Sequence, residues 1–163
     1  MIHELALRTE LSCIKALESG LNYFPTDCKQ KLILESISKF FNSLEVWRLF
    51  FEDCRRKDVY FIFRKAVDKY VSRIIEIDFY RFVIWAEKQI LESSIGLQLP
   101  HRLWSLLEKF IQKFPHQPSL WISYLQSCAK FDASRAKTVL YRAVRQLPLH
   151  KGNDVIVIFL YPR

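Results

Sequence analysis

Glycine is nearly missing from this chain, with three in 163 residues against six prolines, four cysteines and four histidines. So few glycines make a loop that cradles phosphate hard to build, and they disfavour a turn-rich β sandwich. No CxxC pair occurs, and no histidine stands at metal-ligand spacing beside Cys13, Cys28, Cys54 or Cys128. These cysteines read as buried reduced thiols rather than zinc ligands. His3, His101, His116 and His150 fall mostly at expected helix ends, outside any HExxH, nucleophile elbow or phosphate loop. The carboxylates spread along the helices at solvent spacing. No catalytic, cofactor-binding or metal-ligating residue is assigned, and a protein that is not an enzyme is expected. Glu4, Arg8 and Glu10 interrupt the apolar run that a secretory signal needs. The longest apolar runs also fall well short of the roughly 20 residues that cross a bilayer, so an intracellular protein without a membrane partner is expected.

What is present is apolar surface. Half the residues are hydrophobic, enough for one sizeable core or a short stack of modules. Apolar period divides the chain into about eight helical segments, with breaks at "YFPTD", "FNS", "CRRKD", "YVSR", "SIGLQLP", "FPHQP" and "KFDAS". Asn42, with Glu45 three residues on, has capping-box spacing, and Asp132 can cap the helix that follows it. Pro25, Pro115 and Pro148 each close an apolar helix, because proline lacks the backbone donor that a helix interior needs. Short breaks predict antiparallel helical hairpins. The fold class is all-α.

Aromatic residues recur three apart in the first helix of each predicted hairpin: Trp47 and Phe50, Phe79 and Phe82, Trp121 and Tyr124, with Trp85 continuing the middle row. At 100° per residue these positions share one arc and predict an aromatic wall against a partner helix. The second helices read "IFRKAV" at 62–67, "LLEKFI" at 106–111 and "LYRAVR" at 140–145. Ala66 and Ala143 would let the helices approach closely beside the aromatics. Pro115 and Pro148 lie 33 residues apart, as do Lys109 and Arg142. A helix-turn-helix period of this size predicts a short α-solenoid. Residues 1–43 read as an imperfect N-terminal hairpin, 44–148 as three repeats (44–70, 75–115 and 118–148), and 149–163 as a divergent tail.

The order of Trp121, Tyr124, Ala136, Lys137, Val139, Arg142, Ala143 and Pro148 resembles the half-a-TPR (HAT) repeat. Residues 44–67 are similar through Trp47, Phe50, Lys65, Ala66 and Val67. The segment 79–115 departs from the pattern: Phe79 replaces the Trp, Phe110 replaces the Ala, and an insertion lies near "SSIGLQL". Residues 1–41 match only through "SGLNYFP". The resemblance implies a TPR-like solenoid and a nuclear scaffold that binds other proteins in RNA processing or RNA silencing, with a homodimer left open. Within that group the last repeats look most like the C-terminal repeats of the nuclear-RNAi-defective family.

Charge supplies the alternative. Residues 101–150 hold eight Lys or Arg against two Asp or Glu. Lys109, Lys113, Arg135, Lys137, Arg142 and Arg145 could form a surface for RNA phosphates or a partner. The competing reading has them solvate outer helix faces, with Arg142 bonding within its repeat. The tail "KGNDVIVIFLYPR" is β-branched and aromatic, so a non-helical or strand-like cover is expected, and Val155 to Tyr161 should be shielded from water. This divergence, with the abrupt start inside a helical pattern, leads us to expect a fragment or short form of a longer repeat protein. The partner is expected along the groove between neighbouring hairpins.

Overall fold

The computed structural model describes residues 26–93, 100–148, 152 and 155, with side chains from residue 31 onward. Seven α-helices and no strand occur among them: α1 (Thr26–Lys39), α2 (Leu44–Arg56), α3 (Tyr60–Tyr70), α4 (Ile77–Ser93), α5 (His101–Lys113), α6 (Pro118–Phe131) and α7 (Ala133–Gln146). The protein is all-α over these residues. Each of the segments 44–70, 75–115 and 118–148 holds two helices. The chain divides into two compact units, Met1–Phe79 and Tyr80–Arg163.

In the first unit α1 packs on α2 and α2 on α3. Trp47, near the start of α2, meets Tyr70 at the end of α3 with ring centroids 6.2 Å apart, while Phe51 meets Phe63 near the start of α3 at 5.0 Å. Those contacts make α2 and α3 antiparallel. Ile33 and Ile37 from α1, Val46, Trp47, Phe50 and Phe51 from α2, and Phe63 and Val67 from α3 are all buried in this core. Phe79 closes it against Trp47 at 5.1 Å. Helix α2 stops where Lys57 caps it and Asp58 takes a positive φ of 53°. Aspartate tolerates this left-handed conformation better than most residues.

In the second unit the neighbouring helices again run antiparallel. Arg102 at the start of α5 pairs with Glu87 late in α4 at 2.9 Å, and Tyr80 early in α4 meets Phe110 late in α5 at 4.6 Å. Trp104 Nε1 donates to Ser127 Oγ at 3.2 Å between α5 and α6. His116, just before α6, reaches the Gln146 carbonyl at the end of α7. The core collects Val83 and Ile90, Leu103, Leu107, Phe110 and Ile111, Leu120, Trp121, Tyr124 and Leu125, and Val139 and Ala143.

The two expected caps have different outcomes. Asp132 is the N-cap of α7 and its side chain accepts from the Arg135 backbone N–H at 3.1 Å. Asp132→Ala should cost about 1 kcal/mol, read as a lower urea midpoint; an unchanged midpoint would mean that water satisfies that donor equally well. Asn42 does not cap α2. Ser43 holds the N-cap position without a side-chain bond, because the Ser43 N–H closes a turn onto the Phe40 carbonyl and moves the helix start one residue on. Glu45 thereby misses the third helical position and pairs with Arg48 at 2.8 Å.

Pro115 and Pro148 stand two residues past α5 and α7, as their missing donor requires. Pro25, the insertion near "SSIGLQL" and residues 1–25 lie outside the described residues. In the tail, Gly152 and Val155 are described, and both are helical and buried, with the Gly152 N–H donating to the Pro148 carbonyl at 2.9 Å. At these two positions the backbone is helical and not strand-like, and Val155 is shielded as its apolar character demands.

Candidate functional site

The same local device appears once in each unit. Trp47 Nε1 donates to the Phe41 carbonyl at 2.9 Å, and Trp121 Nε1 donates to the Pro115 carbonyl at 2.8 Å, each six residues back along the chain. Each indole therefore crosses its own inter-helix break and ties the end of one helix to the start of the next. Phe50 and Tyr124 follow three residues later, Cys54 and Cys128 seven later, and all six side chains are fully buried. Burial pushes the Cys54 thiol up to about 12 and the Cys128 thiol up to about 11. Both are free thiols held protonated. The side chains of Cys13 and Cys28 lie outside the described residues.

Around Trp121, Glu108 of α5, Tyr124 of α6 and Arg135 and Arg142 of α7 form one polar network. Arg142 engages Glu108 through two hydrogen bonds of 2.7 and 2.8 Å, a fork matched to the carboxylate. Tyr124 Oη donates to the same carboxylate at 2.7 Å, and Arg135 Nε donates to Tyr124 Oη at 3.3 Å. The two guanidinium groups also cover aromatic faces, Arg135 lying 4.5 Å from the Trp104 centroid and Arg142 lying 5.7 Å from that of Trp121. The Arg142 hydrogen bond and the Tyr124 hydroxyl hold the Glu108 carboxyl below its ordinary range against the opposing effect of burial. Burial, then the anionic Glu108, pushes the Tyr124 phenol up to about 12. Arg135 and Arg142 are raised by their hydrogen bonds to Tyr124 and Glu108 respectively.

This network divides the six basic candidates. Arg135 bonds Tyr124 within the α6–α7 hairpin, whereas Arg142, expected to bond within its own repeat, reaches Glu108 on α5 of the preceding one; Lys113 donates to Tyr80 Oη at 2.5 Å and lies 5.8 Å from the Phe114 centroid. Lys109, Lys137 and Arg145 are exposed and have no ion pair or hydrogen-bond partner among the described residues. The 33-residue step from Lys109 to Arg142 thus joins two different environments.

Of the packing candidates, Trp47, Phe50, Ala66, Phe79, Phe82, Trp121, Tyr124, Ala136 and Ala143 are buried, Pro115 is half-buried and Pro148 is exposed. Trp85 departs from the expected wall with 46% exposure, and stacks on Phe82 at 5.7 Å. Six residues after Phe79 it has turned about 120° away, past the edge of the buried face. Ala66 and Ala143 are not equivalent either. Ala66 lies seven residues after the Val59 N-cap and Ala143 eleven after Asp132, one helical turn further along.

Two participants escaped the sequence reading. Glu108 is one of only two acidic residues in 101–150, against eight Lys or Arg, and that imbalance was the signal for its basic partner. Tyr141 is 73% exposed on α7, two residues from buried Val139 and hence on the opposite face. No group of His, Cys, Asp or Glu able to hold a metal ion, and no helix long and apolar enough to cross a membrane, occurs among the described residues. No protein-family model, no curated protein and no solved structure matches the chain.

Proposed function

We propose that this chain is a non-catalytic helical-repeat scaffold of the HAT type, stacked as a short solenoid, which holds other proteins together in nuclear RNA processing or nuclear RNA silencing. The observation that carries the reading is the repeated indole-to-carbonyl tie at Trp47 and Trp121, with its buried aromatic at plus three and buried cysteine at plus seven. A unit built twice around the same tie is the mark of a repeat, and a repeat protein works chiefly through the surface it extends. The fork between Arg142 and Glu108 supports the same reading, since it turns an apparent phosphate ligand into a brace between helices.

One observation favours direct RNA binding as a second reading. Exposed Tyr141 lies between Lys137 and Arg145, four residues to either side on the same face of α7. An open ring flanked by cations can stack a base while the cations neutralise phosphates. A titration of the whole chain with single-stranded RNA across salt separates the two readings, because phosphate contacts weaken steeply with log salt. The scaffold reading expects weak binding near physiological salt. Tight binding there, lost when Lys137, Tyr141 and Arg145 are all replaced by Ala with the circular dichroism unchanged, would transfer the function to RNA.

A further inference from the structure

In the first unit, α1 and α3 face each other across an open groove of about 550 Å³. Its floor is apolar, made by Leu34 from α1 and by Phe61, Ile62, Ala66 and Tyr70 from α3. Phe61 is 69% exposed and Leu34 39%, so large apolar surface stands open to water at this place. Its rim is cationic: Lys31, Lys65 and Lys69 line it against one carboxylate, Glu35. Lys31 and Lys65 make no ion pair among the described residues, and Lys69 lies 5.1 Å from the Tyr70 centroid.

We propose that this groove binds an acidic amphipathic helix of a partner protein, its apolar residues on the floor and its carboxylates on the three lysines. The wall on α3 runs from Phe61 to Tyr70, nine residue steps, or about 14 Å at 1.5 Å per step. That length matches two to three turns of a docked helix, whose anchors would fall at i, i+3 or i+4, and i+7. Ala66, a small residue on the floor, sits one turn from both Ile62 and Tyr70. Uncompensated positive charge around an apolar floor selects against basic segments and favours acidic ones through both encounter rate and register. The inference rests on the scaffold reading and names the chemistry of one partner segment.

The test is fluorescence anisotropy of the whole chain with two labelled synthetic peptides of about 15 residues. Both carry Leu and Phe at i, i+4 and i+7, one with Glu and the other with Lys on the polar face. The Glu peptide is expected to bind at least about tenfold more tightly than the Lys peptide, with affinity falling as salt rises. Lys65→Glu combined with Lys69→Glu should remove at least about 90% of that affinity, and Phe61→Ala should weaken it about threefold or more, both with unchanged circular dichroism because these side chains are exposed. Equal binding of the two peptides, no binding of either, or undiminished binding by the double variant would overturn the proposal. So would single-stranded RNA displacing the Glu peptide from these lysines, or sedimentation showing a dimer that Phe61→Ala separates, since a second copy would then own the groove. Protein partners recovered from nuclear extract by a chain that binds neither peptide would reject the groove and leave the scaffold reading standing. Tight Glu-peptide binding by a chain that recovers no protein would reject the scaffold reading alone.

Discussion

Replacing Trp121 by alanine should lower stability by about 3 to 5 kcal/mol, the range for removing a large aromatic from a packed core. The indole is fully buried, its Nε1 holds the Pro115 carbonyl at 2.8 Å, and the Arg142 guanidinium lies 5.7 Å from its centroid. Alanine therefore leaves a cavity and an unpaired carbonyl, and loosens the tie from the end of α5 to the start of α6. Trp121→Phe keeps most of the apolar area but not the donor, and should cost about 1 to 3 kcal/mol through the carbonyl left without its partner. Urea unfolding followed by circular dichroism measures both. A loss below about 1 kcal/mol for Trp121→Ala would place the ring outside the core and remove the basis of the repeated device.

Acid should weaken the second unit through Glu108. Its carboxyl is held below the ordinary value in the folded protein, first by the Arg142 hydrogen bond and then by Tyr124. A depressed folded value means that the stabilisation is complete above the unfolded carboxylate pKa, about 4.3, and disappears as pH falls through the folded value. Glu108→Gln keeps the shape but cannot make the charged fork, so it should cost about 1 to 2 kcal/mol at pH 7. That is less than a fully buried charged bond, because the Arg142 and Glu108 side chains remain 39% and 28% exposed and water replaces part of the interaction. The variant should lose less stability than the parent between about pH 5 and 3, where other carboxylates contribute equally to both proteins. Parallel pH profiles would show that Glu108 is not the group that titrates.

The breaks between helices were readable in the sequence because each depends on neighbouring residues. A proline two positions past α5 and α7 and an aspartate before α7 act through their own backbone or one nearby donor. Spacing by three likewise placed Trp47 with Phe50 and Trp121 with Tyr124 on buried faces. Asn42 lost its capping role to a local turn between Phe40 and Ser43, and the other errors arose where a neighbour in space decided the outcome. Trp85 extended the row correctly by number, yet the buried face of α4 ends before it. Ala66 and Ala143 aligned as text, but their helices start at different distances from them. Arg142 was expected to bond within its repeat, whereas the identity of its partner, Glu108 on α5, depends on how three helices meet. In the tail, β-branched residues suggested an extended chain; the two described positions, Gly152 and Val155, are helical, and the rest of the run lies outside the described residues.

The most direct measurement is recovery of partners by the tagged whole chain from nuclear extract, with and without nuclease, identified by mass spectrometry. Each unit encloses its Trp tie, and the second commits Arg135 and Arg142 to internal bonds, so the account predicts RNA-processing or RNA-silencing proteins bound in the same yield after nuclease as before. Loss of those proteins on nuclease treatment would contradict it and show that RNA, not protein contact, joins this chain to its complex.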